Sequence, residues 1–177
     1  MIKSDYNTDD GYEIIVRTAN EADAENLLAL KLGYIKGSLS IPMFEDEYKN
    51  TPQQEAKLIK RYLNEENSLL LVAEHNNELI GNLDITGNQR RKLFHTGMIG
   101  MGIANAWQNR KIGSMLMQEA LNIARTTPLQ ILWLEVYSTN TAGIRLYEKY
   151  GFEECGRMNN FFREENTADK ITMVKYL

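Results

Sequence analysis

The sequence predicts an α/β fold in which a mixed β-sheet carries helices on its faces. Residues 69–86 hold two apolar strand patterns joined by the turn-forming pair Asn76-Asn77, which favours an antiparallel hairpin. Residues 98–137 follow a strand–helix–strand pattern, which calls for parallel strands and a right-handed crossover. Residues 153–177 carry two further strand patterns. The sheet is therefore expected to contain both parallel and antiparallel pairs.

The first part of the chain predicts one strand and two helices. Residues 1–10 are polar, and we expect them to be a disordered N-terminus. A strand at 12–16 precedes a helix that begins at Asn20, a residue suited to capping exposed N–H groups. Thr51-Pro52 opens the second helix, because proline fits its first turn.

The remaining elements follow from hydrophobic periodicity and from turn residues. Gly151 ends the last helix as a C-cap glycine. In chain order, the predicted elements are strands at 69–74, 79–86 and 95–103, a helix at 111–126, a strand at 131–137, a helix that begins at Asn140, and strands at 153–162 and 171–177.

Length and composition restrict the functional classes. The 177 residues suit one domain, expected over 11–177, and 43% hydrophobic residues suffice for a core. A net charge of −4 argues against a nucleic-acid partner. Cys155 is the single cysteine, so no internal disulfide forms, and His75 and His95 lack zinc-site spacing, so no metal is expected. No apolar leader or membrane-length segment is present, and we expect a cytoplasmic protein without membrane contact.

A polar turn between the strand at 95–103 and the next helix is suited to phosphate binding. The first N–H groups of a helix lack partners within it, and the helix dipole places partial positive charge at that end. Arg110 and Lys111 add full charges. The glycine spacing fits neither a Walker A loop nor a dinucleotide fingerprint. An ordinary strand-to-helix turn is the alternative interpretation.

Two segments resemble the GCN5-related N-acetyltransferase (GNAT) superfamily. The turn Gln108-Asn109-Arg110-Lys111-Ile112-Gly113 resembles its pyrophosphate loop, Gln/Arg-x-x-Gly-x-Gly/Ala, with Lys111 in the place of the first glycine. The second segment, 132–156, resembles the block in which an L-x-V strand leads to Asn, Ala and Leu-Tyr-Glu-Lys-x-Gly-Phe. Its matching residues are Asn140, Ala142, Leu146, Tyr147, Glu148, Lys149, Gly151 and Phe152.

The resemblance implies the GNAT acyl-CoA N-acyltransferase fold, with two central parallel strands that splay apart. It also implies acetyl-CoA as co-substrate and direct transfer of its acetyl group to a primary amine through a tetrahedral intermediate. Pantetheine would pair with one splayed strand, and pyrophosphate would bind the turn. The implied cofactor-binding residues are Met101, Gly102, Ile103, Gln108, Asn109, Arg110, Lys111, Ile112, Gly113, Ser114, Asn140 and Tyr147.

Two residues are implied as catalytic. Tyr147 stands at the family's tyrosine position and would protonate the leaving thiolate, because a phenol stays protonated at neutral pH. Glu135 is expected to be buried with a raised pKa and to act as base. The LWLEV segment and this tyrosine resemble the ribosomal-protein alanine N-acetyltransferases, where these residues are base and acid. The alternatives are a packing tyrosine and a surface or ion-paired glutamate.

Other residues keep two interpretations. His95 is a rival base or a strand-end histidine, and Asn140 contacts cofactor or caps the helix. Cys155 is expected to be a small buried residue.

The acceptor would be a small amine or a protein N-terminus, bound between 34–48 and 158–162. Acidic Glu45–Glu47 would attract a cation there or form a solvated loop. The alternative to an enzyme is a non-catalytic acyl-CoA sensor or interaction module of the same fold, and O-acetyl transfer is a third reading. Paired edge strands would suit a homodimer.

Overall fold

The computed structural model describes residues 2–163 and 167–177 as eight strands and four α-helices. Two single 3₁₀ turns lie at Glu21–Asp23 and Asn105–Trp107. The elements in chain order are β1 (Lys3–Asn7), β2 (Glu13–Thr18), α1 (Ala24–Ile35), α2 (Pro52–Asn64), β3 (Leu69–His75), β4 (Glu78–Gly87), β5 (Thr96–Ile103), α3 (Ile112–Ala124), β6 (Ile131–Tyr137), α4 (Thr141–Lys149), β7 (Glu153–Arg163) and β8 (Thr167–Tyr176).

The strands form one mixed sheet in the order β1-β2-β3-β4-β5-β6-β8-β7. The β5–β6 pair is parallel, and the other pairs are antiparallel. This confirms the predicted mixed sheet with a parallel pair at its centre. The described part of the chain holds no helix with the length and apolar character needed to cross a bilayer.

The expected disorder of residues 1–10 is wrong for the residues described. Lys3–Asn7 forms β1 and pairs with β2, from Lys3 opposite Arg17 to Asn7 opposite Glu13. The strand lies at the edge of the sheet, and its side chains alternate between exposed and half-buried positions. Because such a strand buries little apolar surface, its polar sequence carries no hydrophobic signal.

Helix caps and turn residues fix the element boundaries as predicted. Asn20 and Thr51 each form a capping box with the residue three positions later. Asn76 and Asn77 both have positive φ, 48° and 65°, which matches the twist of the β3–β4 hairpin. Gly151 has φ 79° after α4.

Two apolar clusters cover the two faces of the sheet. Residues of α3, with Leu116 and Met117 fully buried, pack on one face against Leu83 and Ile85. Residues of α1 and α2, including Leu27 and Ile59, cover the other face. Helices therefore lie on both sides of the central strands.

A buried ion pair holds α1, α2 and the segment between them. Glu55 on α2 is fully buried, and its Oε2 lies 2.9 Å from Lys31 Nζ on α1. Asn50 Nδ2 donates to Glu55 Oε1 at 2.7 Å, and the Tyr48 hydroxyl donates to the same oxygen. Burial raises the pKa of Glu55, but the hydrogen bonds from Tyr48, Asn50 and Lys31 outweigh it, so the net pKa is lowered.

Glu55→Gln is expected to lower the free energy of unfolding by about 3 kcal/mol at pH 7, because Lys31 would be left buried without its counter-charge. Because the pKa of Glu55 is lower in the folded state, the ion pair contributes its full stability above the unfolded-state pKa of about 4.3. This stability is lost as the pH falls through the folded-state pKa. Urea unfolding at pH 7 and at pH 3 measures both effects.

Glu66→Gln is the control, because Glu66 is exposed and forms no ion pair with a described residue. It should change stability by less than about 0.5 kcal/mol. A Glu55→Gln loss no larger than that of the control would contradict the role of the ion pair.

Candidate active site

The site begins where two central strands separate. β5 and β6 pair only from Thr96 opposite Ile131 to Met98 opposite Trp133. Beyond Met98, β5 stays paired with β4 up to Ile103, while β6 stays paired with β8. The backbone groups on the β6 side of β5 therefore have no strand partner between Ile99 and Ile103, which leaves an edge inside the sheet.

We call the place where β5 and β6 separate the fork. A cavity of about 520 Å³ opens there. It is lined by β5, the turn after it, the first turn of α3, α4 and the segment that follows α1. All predicted cofactor-binding residues except Arg110 line it, namely Met101, Gly102, Ile103, Gln108, Asn109, Lys111, Ile112, Gly113, Ser114, Asn140 and Tyr147.

The turn before α3 uses left-handed backbone at residues other than glycine. Asn109 has φ 61°, and Lys111, the N-cap residue of α3, has φ 65° and ψ 9°. No side chain caps this helix, and the N–H of Met115 is the first that bonds back to Lys111. The preceding N–H groups at the start of α3 are therefore open to an anion in the cavity.

Lys111 adopts a left-handed backbone conformation that favours glycine, and its side chain extends to Asp9. Its Nζ lies 2.6 Å from an Asp9 carboxylate oxygen, so the backbone N–H stays in place while the long stem extends to the β1–β2 hairpin. A non-glycine residue in this region costs about 1–2 kcal/mol.

Arg110 also contacts this hairpin and does not line the cavity. Its Nη1 lies 2.6 Å from Asp10 Oδ2, and its guanidinium covers the ring of Tyr12 at 4.8 Å and that of Trp107 at 5.3 Å. The predicted direct contact of Arg110 with cofactor therefore has no support in the cavity wall. Its charge still lies beside the turn.

Gly113 sets the width of the cavity. A Cβ at this position would lie 2.9 Å from Leu146 Cδ2 and 3.2 Å from both Ile103 Cδ1 and Met101 Sδ. These three atoms lie at or near the ends of flexible side chains, so a methyl group could be accommodated if they shift, which agrees with the glycine or alanine that the motif allows. A larger side chain would crowd the space between α3, α4 and β5.

Tyr147 faces the cavity from α4, a helix that Asn140 caps by accepting a 2.9 Å hydrogen bond from the Gly143 N–H. The Tyr147 hydroxyl makes no hydrogen bond to any described residue. Burial raises its pKa to about 12. The Tyr147 ring also packs against the core, as does Tyr150, whose hydroxyl donates to the Ser114 carbonyl at 2.8 Å and ties α4 to α3. The Tyr147 hydroxyl is therefore a protonated donor at the cavity, on a ring that also has a packing role.

The expected burial of Glu135 is wrong. Leu132, Leu134 and Val136 turn to the core, which places Glu135 on the opposite face, where it is exposed. Its Oε1 lies 2.7 Å from Lys170 Nζ on β8, and it does not line the cavity. The alternation of residues 132–136 was predicted correctly, but Glu135 lies on the less buried face of β6.

The other candidates fall outside the cavity. His95 precedes β5 at the end of the strand away from the fork, and its carbonyl accepts hydrogen bonds from residues 130 and 131. Cys155 is exposed, so the expectation that it is buried is wrong. Among residues 2–163 and 167–177, no group of three or more His, Cys, Asp or Glu side chains is placed to hold a metal.

Several lining residues were not among the predicted cofactor-binding residues. Ala142 and Leu146 belong to the matched segment and, with Gly143, share the cavity face of α4 with Tyr147, which helical spacing would have indicated. Trp107 and Gly37–Ile41 reach the cavity through irregular backbone, for which the sequence has no periodic signal.

Lys111→Gly is expected to raise the free energy of unfolding by about 1 kcal/mol, because glycine adopts φ 65° without strain and the exposed pair with Asp9 contributes little. Lys111→Ala keeps the strain, loses the pair and should not gain stability. Urea unfolding of both variants provides the measurement. Equal stability of the glycine and alanine variants would contradict the strain at this position.

Comparison with known proteins identifies the family. The model described as "Acetyltransferase (GNAT) family" matches residues 38–152, well over half of the chain. L-amino acid N-acetyltransferase AaaT of Escherichia coli K12 is 32% identical over 84 residues, which cover 47% of this chain and 52% of that protein. N-alpha-acetyltransferase RimI of Mycobacterium tuberculosis is 33% identical over 95 residues, covering 54% and 58%.

Solved structures share the fold over almost the whole chain. The GNAT-family acetyltransferase of Streptococcus pneumoniae has a TM-score of 0.90 at 26% identity and covers 93% of this chain and 99% of its own. YncA of Salmonella typhimurium, solved with its cofactor acetyl-CoA, has a TM-score of 0.83 at 17% identity and covers 93% and 94%. The matched regions span only about half of the curated relatives AaaT and RimI. The family model and these structures together establish that the chain belongs to the GNAT family.

Proposed function

We propose that this protein is an N-acetyltransferase that moves the acetyl group of acetyl-CoA directly to a primary amine. The observation that carries the proposal is one cavity that joins an unpaired strand edge, the open N–H groups of α3 and the free hydroxyl of Tyr147. These features match the three parts of an acyl-CoA: an amide-bearing arm, a pyrophosphate and a thioester.

The backbone edge between Met101 and Ile103 would bind the pantetheine amides as an added strand. The turn at 108–114 would bind the pyrophosphate through N–H groups, with Arg110 and Lys111 supplying long-range positive charge. Asn140 shapes the α4 end of the cavity as its helix cap. The charge of Lys111 and Arg110 is shared with Asp9 and Asp10, so we expect affinity to depend on the backbone groups more than on these cations.

Tyr147 would act as the general acid. Transfer breaks the carbon–sulfur bond, and the departing thiolate needs a proton. With a pKa raised to about 12, the phenol is fully protonated at neutral pH. The base role of Glu135 stays a prediction, since its carboxylate would first have to leave Lys170.

The acceptor would enter from the α1 side, where Tyr34 and Gly37–Ile41 line the cavity. The two relatives are named an L-amino acid N-acetyltransferase and an N-alpha-acetyltransferase, and we extend the chemical class in these names, a primary amine, to the present chain. The acidic Glu45–Glu47 segment does not line the cavity, which favours the solvated-loop interpretation. Cytoplasmic location and a homodimer remain expectations.

Release of free coenzyme A thiol tests the proposal directly. Purified protein receives acetyl-CoA with L-methionine, spermidine or a tetrapeptide beginning with alanine. We expect acceptor-dependent thiol release for at least one of them. Tight acetyl-CoA binding in calorimetry without release across a broad amine panel would instead support the sensor interpretation.

Tyr147→Phe is expected to lower kcat about 100-fold or more, because the leaving thiolate loses its proton donor, while the Kd for acetyl-CoA changes less than about twofold. Tyr176→Phe is the matched control, since Tyr176 is exposed at the end of β8 and should leave both values unchanged. Full activity of Tyr147→Phe would remove this residue from the mechanism.

A further inference from the structure

A second carboxylate lies close to the fork, on the face of the sheet that α1 and α2 cover. Asp84 on β4 stands opposite Gly100 on β5. The Tyr62 hydroxyl donates to Asp84 Oδ2 at 3.0 Å, and Thr86 Oγ1 lies 3.4 Å from the same oxygen. Asp84 Oδ1 makes no hydrogen bond within the described residues. In the described residues, every fully buried side-chain oxygen has a hydrogen-bond partner. Because Oδ1 has none, it is not fully buried, and it is free to accept a hydrogen bond.

Two glycines on β5 make room for this carboxylate. A Cβ at Gly100 would lie 2.9 Å from Asp84 Oδ1, and one at Gly102 would lie 2.2 Å from the Tyr34 ring. On this face, β5 therefore has no side chain at the two positions next to Asp84 and Tyr34. Tyr34 and Gly102 line the cavity, and Asp84 lies opposite Gly100, two residues before Gly102 on the same face of β5.

Gly100 is nearer than Gly102 to the end of the fork where β5 and β6 are still paired, which we call the closed end. The last β5–β6 pair is Met98 with Trp133, and Gly100 is two residues beyond it, about 7 Å along the strand. The phosphate turn follows Ile103 at the open end. An arm that runs from this turn along β5 extends from Ile103 toward Gly100, and the thioester is at its far end.

We propose that Asp84 is the catalytic base that takes a proton from the acceptor ammonium; this rests on the acetyl transfer proposed above. The ammonium gives one proton to Asp84 Oδ1, and its nitrogen lone pair forms the carbon–nitrogen bond at the thioester carbonyl. The carbon–sulfur bond breaks, and the thiolate takes the Tyr147 proton. The second proton, released by the new amide nitrogen, returns to Tyr147 through solvent. Asp84 releases its own proton to bulk water.

The surroundings of Asp84 suit this task. Burial raises the pKa of its carboxyl, and the hydrogen bond from Tyr62 offsets this only in part. A carboxylate with a raised pKa accepts a proton from an amine more readily than an ordinary one. Opposite Asp84, β3 and β5 present only Leu70 and Gly100. The charged and titratable groups around it come from the two helices: Lys31 and Tyr34 on α1, and Glu55, Arg61 and Tyr62 on α2.

Glu135 is less well placed for the same task. It is exposed, and its Oε1 is engaged by Lys170 at 2.7 Å. Neither carboxylate lines the cavity, but Asp84 lies opposite Gly100, next to the lining residue Gly102 along the same face, and its Oδ1 forms no hydrogen bond within the described residues. If Asp84 is the base, Asp84→Asn should lower the rate and Glu135→Gln should not; if Glu135 is the base, the reverse is expected.

Asp84→Asn and Glu135→Gln are compared with the unmodified protein in the thiol-release assay, using the most active amine of the panel across a pH series. We expect Asp84→Asn to lower kcat/KM about 100-fold or more at neutral pH, because the ammonium loses its proton acceptor. The rate of this variant should then rise with pH in proportion to the free-amine fraction, instead of levelling off once a carboxylate is ionised. With methoxyamine, which is already unprotonated at neutral pH, the same variant should lose less than about tenfold. Glu66→Gln is the control for an acid-to-amide change at an exposed site, and its kcat/KM should stay within about twofold.

Acetyl-CoA affinity by calorimetry and circular dichroism establish that each variant is folded. If Asp84→Asn does not fold, Gly100→Ala provides the test, because its Cβ would displace the carboxylate without removing it and should also lower kcat/KM. The role of Asp84 is overturned if the rate and its pH profile are unchanged in both Asp84→Asn and Gly100→Ala, or if only Glu135→Gln changes the pH profile. Either result leaves the proposed function intact. An unmodified protein that binds acetyl-CoA but releases no thiol overturns both.

Discussion

The early end of parallel pairing between β5 and β6 is the constraint on which the site depends. Three register pairs join these strands, and both then continue with other partners. Buried backbone N–H and C=O groups require hydrogen-bond partners, so a strand edge inside a sheet is favourable only if water or a ligand completes it. A ligand with an extended chain of amides meets this requirement. Because the edge is set by the antiparallel neighbours β4 and β8, it exists before any ligand binds.

The elements around the fork bring three kinds of chemistry to one cavity. The turn at 108–111 places the start of α3 at the open end, and Gly113 lets this helix approach α4. The cap at Asn140 fixes α4, which directs Tyr147 inward. On the opposite side, the Glu55–Lys31 pair fastens α2 to α1, and α1 carries Tyr34 to the cavity wall. Each side chain proposed to act at the site is thus held in place by contacts outside the cavity.

Local patterns in the sequence predicted most of this arrangement. Strand and helix periodicity placed β6, α3 and α4, and eleven of the twelve cofactor-binding residues predicted from the family resemblance line the cavity. The failures have one physical cause, which is contact between residues distant in sequence. β1 is polar and becomes a strand only by pairing with β2, Arg110 contacts Asp10 about a hundred positions away, and Glu135 is paired with Lys170 on another strand. Asp84 looked like an ordinary strand residue, because only the register with Gly100 brings it to the fork.

A crystal structure of the protein with bound coenzyme A tests the central claim most directly. We expect the pantetheine amides to be hydrogen-bonded to the backbone between Met101 and Ile103, and the pyrophosphate to bind the N–H groups of the 108–114 turn. Coenzyme A bound elsewhere, with the fork left empty, would contradict it.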